Sequence, residues 1–250
     1  MQRIAEADGQ QIFVCAHSAH FVDIDDYRSI SIVEKRTAKE GTSLRQCLDD
    51  IFDASERREV KILFKLSQAL DAERSEMFFA KKIVLVEGPT ERACVPYLAR
   101  KDNSFEQAVS VIECGGKFNI PSYIRLLNVF RIPYHVIHDE DPLPANPPDD
   151  KDKRDSPKRI FKLNATISQI IDDSLGQVSM LSPLFEKVAG ISGNQADKLG
   201  KPLAAMRHFE TMADINDLPD ELLDAVTKAY AFRRPPEELK EMAGAKVSGS

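Results

Sequence analysis

Ile83-Val84-Leu85-Val86-Glu87-Gly88-Pro89-Thr90-Glu91 decides how this chain is read, together with the later run Val136-Ile137-His138-Asp139-Glu140-Asp141-Pro142. Each is a short, β-branched, apolar run that stops at carboxylates. A buried parallel strand delivers acids to the carboxyl edge of a sheet in this way. Gly88 allows a tight turn straight after Glu87, and Pro89 suits a helix entry because no donor is needed there. Thr90 and Glu91 then open a helix, with Glu91 one turn from Glu87 on the facing side. Asp139 and Asp141 flank a turn that Pro142 enforces, so their carboxylates can converge where a straight strand would part them. Acids gathered in one crevice repel, and unless protonated they call for a divalent cation. All-oxygen ligation suits Mg²⁺ or Mn²⁺ and argues against zinc.

Working outward, the pattern is β-α-β-α-β. Strand Ile83–Glu87 leads to helix Glu91–Lys101, strand Val109–Glu113 to helix Ile120–Phe130, and strand Tyr134–His138 ends at Asp139. Right-handed crossovers make this a parallel sheet with helices on both faces. Between the second strand and its helix lies Cys114-Gly115-Gly116-Lys117. It reads either as a phosphate-binding turn, with Gly116 N–H and Lys117 meeting the anion, or as a plain tight turn with a surface lysine. His135 and His138 read as structural.

Glu87-Gly88-x-x-Glu91 after an apolar strand, followed by a strand ending Asp139-x-Asp141, resembles the Toprim domain shared by topoisomerases, primases and several nucleases. The order of the two halves and the helix-strand-helix between them make the pair fairly specific. Later in the chain, Phe185-Glu186 and Lys201-Pro202 resemble the C-terminal region of the overcoming-lysogenization-defect (OLD) nucleases, in which an ABC-type ATPase precedes a Toprim nuclease. The resemblance implies an α/β fold, a Toprim-type parallel sheet flanked by helices with an additional C-terminal helical element. It further implies Glu87, Glu91, Asp139 and Asp141 as metal-binding acids, Glu186 as a further ligand, and Lys201 as a catalytic lysine beside Glu87 and Asp139.

The flanking segments divide the remainder. Gln11–Ser18 reads as a strand ending at His17, and Ser31–Arg36 as a second strand. Residues 1–42 resemble the tail of an ABC-type ATPase domain with His17 in the place of its switch histidine. No G-x-x-x-x-G-K-[ST] loop occurs, so ATP would bind only in a region outside this sequence. The competing reading is a small β lead-in with a structural histidine. Residues 43–80 read as connecting helices, with Leu44, Leu48, Ile51 and Phe52 on one face. Their Arg57, Arg58, Lys61 and Lys65 form a solvated face or an arm touching phosphates. Residues 81–145 make the catalytic core and 146–158, rich in proline and charge, a flexible loop. There Lys151, Lys153 and Arg154 are solubilising, or guide a polyanion. Residues 159–235 carry a helix over Arg159–Leu175, a short strand at Val178–Leu181 and further helices, with 236–250 a tail.

Composition bounds the function without choosing it. With 42% hydrophobic and 30% charged residues, 250 residues suffice for one good core or two small ones. A net charge of −6 argues against a generally basic nucleic-acid coat but leaves room for a local basic face. Cys15, Cys47, Cys94 and Cys114 lack CxxC spacing, which favours reduced thiols and a cytoplasmic setting. No membrane-spanning or signal segment is evident.

The expectation is a metal-dependent DNA endonuclease region working through two Mg²⁺ or Mn²⁺ ions, with DNA as partner and homodimerisation through an ATPase region. A non-catalytic Toprim arm for DNA binding or dimerisation, and a Toprim ribonuclease, stand as alternatives. Tyr27, Tyr97, Tyr123, Tyr134 and Tyr230 lie in no context that suggests the nucleophile a topoisomerase needs.

Overall fold

The computed structural model describes residues 12–18, 22, 24–35, 41–51, 74–146, 151–191 and 200–232. Two compact units divide the chain at residues 80 and 81.

In the first unit, β1 (Ser31–Glu34) and β2 (Ser43–Gln46) pair antiparallel with Ser31 opposite Gln46. Arg45 Nη2 reaches Glu34 Oε2 at 2.7 Å across this ribbon. Tyr27 is buried, its hydroxyl donating to Asp50 Oδ1 at 3.1 Å and accepting from Ile51 N–H at 3.1 Å. The strand expected at Gln11–Ser18 does not form over its described residues, and His17 is exposed in a bend. Apolar side chains there stay in solvent, Phe13 at 83% exposure, because no described strand offers their backbone a ladder. The helix expected from Ser43 also yields to β2. Leu44 and Leu48 are exposed rather than lining a helical face, residues 52–73 lie outside the described residues, and a 3₁₀ turn follows at Arg74–Phe78.

The second unit is an α/β layer structure. Its sheet has the order β4-β3-β5-β6, built from β3 (Lys82–Val86), β4 (Val109–Glu113), β5 (Tyr134–Asp139) and β6 (Gly176–Leu181), all parallel. Every residue of β3 is buried, as an inner parallel strand covered on both faces requires. Lys82 escapes the penalty for a buried cation by donating to the Lys228 carbonyl at 2.9 Å.

On one face lie α1 (Pro89–Lys101), α5 (Lys201–Thr211) and α6 (Asp220–Tyr230), whose buried Val95, Leu98, Phe209 and Leu222 pack with Val84, Val86 and Ile137. On the other lie α2 (Ile120–Phe130) and α3 (Lys151–Ile170). The short α4 (Phe185–Val188) follows β6. The loop expected over 146–158 is corrected here, because α3 already begins at Lys151 and contains Pro157. A proline near a helix start removes only one ladder bond, and Asp155 meets Lys158 at 3.6 Å in the same stretch.

Register sets the edge. Val86 pairs with Glu113 on one side and Ile137 on the other, while Asp139 pairs with Leu181. The acids that follow these strands therefore leave the sheet at one level.

Candidate active site

Glu87 follows the last residue of β3 and turns its side chain toward the neighbouring strand, where Oε1 accepts from Asp139 N–H at 2.8 Å. Gly88 is extended at φ −145 and ψ −176, and a Cβ there would meet only ordinary contact with Glu91 Oε2 at 3.5 Å. The turn thus does not draw on glycine's conformational freedom. Pro89 opens α1 as its composition dictates, and Glu91 Oε2 accepts from Gly88 N–H at 3.2 Å, capping the helix from within.

Asp139 ends β5, and its Oδ1 accepts from Phe185 N–H at 2.7 Å, tying the first turn of α4 to the sheet edge. Asp141 sits at φ +52, a left-handed conformation that aspartate tolerates better than most residues. Glu186 follows Phe185, and its Oε1 meets Lys201 Nζ at 2.9 Å from the first residue of α5. Five acids and Lys201, drawn from five segments, therefore share one region. Glu87 lies in the field of Asp141 and Glu186, and Lys201 in that of Asp139 and Glu91.

Burial is the largest influence on Glu87, Glu91 and Asp139. It pushes Glu87 and Glu91 up to about 7 and Asp139 up to about 8, and repulsion among the carboxylates adds to it. The hydrogen bond from Lys201 to Glu186 raises the lysine further. His138 goes the other way, lowered to about 4 by burial, so its imidazole is neutral near pH 7, with Nδ1 at 2.8 Å from the Asp139 carbonyl. His135 Nε2 lies 2.9 Å from Ser179 Oγ.

Lys117 is neither a surface lysine nor open to a phosphate. It is 3% exposed and donates to the Asp139 carbonyl, to the Glu140 carbonyl at 3.4 Å and to Asp141 Oδ2 at 3.0 Å. Gly116 N–H is likewise committed, to the Glu87 carbonyl at 2.8 Å. Here glycine is required, since Gly116 stands at φ +112. Asn119 Nδ2 holds the same turn through the Cys114 carbonyl at 2.9 Å. The Gly-Gly-Lys turn therefore supplies an internal counter-charge to the acids. Its glycines and lysine were visible in the sequence, but the acceptors that fix its role come from β5, more than twenty residues away.

Sequence reasoning also missed a ring around Glu140. Its carbonyl accepts from Asn164 Nδ2 at 2.8 Å, its carboxylate receives Ser182 Oγ, and Ser182 N–H reaches Glu221 Oε1 at 2.8 Å. No spacing announces these partners, which lie on α3, past β6 and on α6.

Among the described residues no three acidic, histidine or cysteine side chains converge as a finished ligand set. The acids rest on backbone N–H groups and on Lys117 and Lys201. The donor chemistry still fits a hard divalent cation. Every candidate ligand is a carboxylate, Cys94 is a neutral thiol pushed up to about 12 by burial, and among the acids Asp141 pairs with Lys117 and Glu186 with Lys201.

Residues 78–141 match the family model described as overcoming lysogenization defect protein-like, TOPRIM domain. An OLD nuclease of Thermus scotoductus is 28% identical over 242 residues, which is 94% of this chain and 44% of that protein, so the chain spans less than half the length of this curated relative. Among solved structures, the C-terminal region of the Burkholderia pseudomallei OLD protein is 19% identical and covers 61% of this chain and all of its own, at a TM-score of 0.42. The C-terminal region of the Xanthomonas campestris pv. campestris OLD protein is 16% identical and covers 68% of this chain and 99% of its own, at a TM-score of 0.39. No described helix is long and apolar enough to cross a membrane. Over residues 78–141, the stretch that carries Glu87, Glu91, Asp139 and Asp141, the chain is similar to the OLD-like Toprim domain.

Proposed function

We propose that this chain is the nuclease region of an OLD-type protein and hydrolyses phosphodiester bonds of DNA with Mg²⁺ or Mn²⁺, two ions serving the site. The observation that carries this reading is the pairing of Glu87 and Asp139 at the ends of adjacent strands, 2.8 Å apart through the Asp139 N–H, with Glu91, Asp141 and Glu186 around them. Bound divalent ions supply Lewis acidity and neutralise charge on the phosphate. Glu87, Glu91, Asp139, Asp141 and Glu186 would hold them. Lys201, 65% exposed at the rim, is placed to leave Glu186 and meet charge developing on phosphate oxygens, work for which a point charge suffices. Lys117, sealed beneath Asp139 and Asp141, keeps those two acids in place.

Hydrolysis is favoured over strand transfer to the protein. Tyr134 and Tyr230 are buried with their hydroxyls raised, and Tyr134 OH is already engaged with Asn128 Oδ1 at 2.8 Å. The test is incubation of the chain with supercoiled plasmid in Mg²⁺, Mn²⁺ or EDTA beside the Asp139→Ala variant. Cleavage that needs the ion and disappears in the variant is expected. Cleavage that persists in Asp139→Ala would overturn the assignment of the site, and no cleavage with either ion would favour a non-catalytic DNA-binding arm.

A further inference from the structure

Helix α3 carries a feature that the acid site does not use. Its C-terminal part is seated on the sheet layer. Ile167 is buried, and the Ile170 carbonyl accepts from Asn128 Nδ2 at 2.9 Å near the amino edge of the sheet. Asn164 is already level with the carboxyl edge, since its Nδ2 donates to the carbonyl of Glu140, the residue after β5. The helix begins thirteen residues earlier, at Lys151, so at 1.5 Å per residue about 20 Å of it extends past the level of the acids. From Asp155 to Thr166 no residue is buried, and Phe161 is 37% exposed.

The charge of that extension is opposite to that of the chain. Its residues 155–163 carry the basic Lys158, Arg159 and Lys162 against the single acid Asp155, in a protein of net charge −6. Arg159 and Lys162 are exposed and three apart, so they share a face, and Lys158 is 53% exposed beside Asp155. A solvated helix face in a protein of this composition has no need to collect one sign of charge. A cationic rod standing beside a phosphodiester-cleaving edge is complementary to a backbone that carries one charge per phosphate.

We infer that the N-terminal half of α3 is a docking arm for the phosphate backbone of duplex DNA, contacting it away from the scissile bond through Arg159, Lys162 and Lys158. This rests on the nuclease reading for the identity of the polyanion. The arm carries no base-edge recognition of its own, so its contribution is affinity and register rather than sequence choice.

The experiment is fluorescence-anisotropy binding of a 30-base-pair labelled duplex in EDTA, where no cleavage intervenes, from about 50 to 300 mM salt. Arg159→Gln/Lys162→Gln is compared with Arg131→Gln/Lys228→Gln, which removes the same charge at the amino edge. At about 0.9 per phosphate contact, the α3 pair should lower the steepness of log K against log salt by about 1.8 and weaken binding roughly tenfold at 0.1 M salt, the control pair changing it less than about twofold. Equal losses in both pairs, or none in the α3 pair, would overturn the arm. The two readings separate cleanly. Wild type that binds with α3-dependent salt sensitivity but never cuts plasmid sinks only the hydrolase, whereas plasmid cleavage with a salt slope indifferent to Arg159 and Lys162 sinks only the arm.

Discussion

The carboxylate of Glu87 accepts a hydrogen bond from the backbone N–H of Asp139 at 2.8 Å, so the end of one strand is fastened by a side chain from the end of its neighbour. Burial raises both acids, and the Glu87 carboxylate raises Asp139 further by repulsion. Neutralising Asp139 without changing its shape separates the site from the fold. Asp139→Asn keeps an oxygen for Phe185 N–H, so melting in EDTA at pH 8 should match or exceed wild type, while plasmid cleavage falls at least about 100-fold. A variant that melts several degrees lower would show Asp139 to be a structural acid first.

The same burial sets a pH dependence. Glu87, Glu91 and Asp139 hold protons more tightly in the folded chain, at about 7, 7 and 8, than in the unfolded one. Between about pH 4 and 8 these acids bind more protons in the folded state, so their contribution to stability without metal falls as pH rises across that window. Well below pH 3.8 the three acids are protonated in both states and contribute no slope. Thermal melts at pH 5.5, 7 and 8.5 in EDTA should show the decline, and Mg²⁺ should flatten it by favouring the ionised acids. A stability that climbs from pH 5.5 to 8.5 in EDTA contradicts the raised values.

Lys117 gives a third expectation. Lys117→Met removes the donor to the Asp139 and Glu140 carbonyls and leaves the Asp141 carboxylate without its cation. Leaving buried acceptors unmet costs about 1–3 kcal/mol, which denaturant unfolding can resolve. Lys117→Arg should not restore stability, because a site that leaves lysine 3% exposed has no room for the broader guanidinium. Full stability in Lys117→Met would mean that the turn stands without its charge.

How much of this was legible beforehand follows from how local each cause is. The strands at 82–86, 109–113 and 134–139 are continuous apolar runs bounded by turn residues, and their order placed Glu87, Glu91, Asp139 and Asp141 at one edge. Within the first ribbon β1 matches the strand read at Ser31–Arg36, but its partner β2 was hidden because Leu44, Leu48 and Ile51 mimic a helical stripe, whereas a four-residue strand shows almost no alternation and owes its existence to its partner. Gln11–Ser18 failed for the opposite reason, being strand-like in composition with no described strand beside it. The start of α3 was masked by Pro157 and its charges, which read as loop. Lys117 was found as a residue, but neither reading of it, phosphate contact or surface lysine, anticipated its burial, which β5 decides.

Gly176 tests packing away from the acids. A Cβ there would fall 2.2 Å from Tyr134 Cε2, and Tyr134 cannot withdraw, since its hydroxyl donates to Asn128 Oδ1 and accepts from Asp172 N–H at 3.1 Å. Gly176→Ala should cost about 1–3 kcal/mol through displacement of that ring, and Gly176→Ala with Tyr134→Phe should not recover it, because the clash is with the ring itself. Melting temperatures of the two variants decide the point.

Lys201 and Glu186 pose the reverse case, a contact whose loss should be felt in chemistry and scarcely in stability. Their 2.9 Å pair joins α4 to the start of α5, but the lysine is 65% exposed, and exposed ion pairs contribute about 0–1 kcal/mol. Lys201→Ala should therefore melt within about 2 °C of wild type, given that 1 kcal/mol moves a chain of this size by about 2–4 °C. If the ammonium meets charge that develops only as the phosphodiester breaks, kcat falls about 100-fold while duplex affinity in EDTA is nearly unchanged. Glu186→Gln releases the lysine but removes a carboxylate from the acid cluster, so it should weaken Mg²⁺ or Mn²⁺ uptake in calorimetry, which Lys201→Ala should not. A Lys201→Ala chain that binds the duplex far more weakly and cuts what it binds at the normal rate would place the lysine among the groups that hold DNA rather than those that act on it.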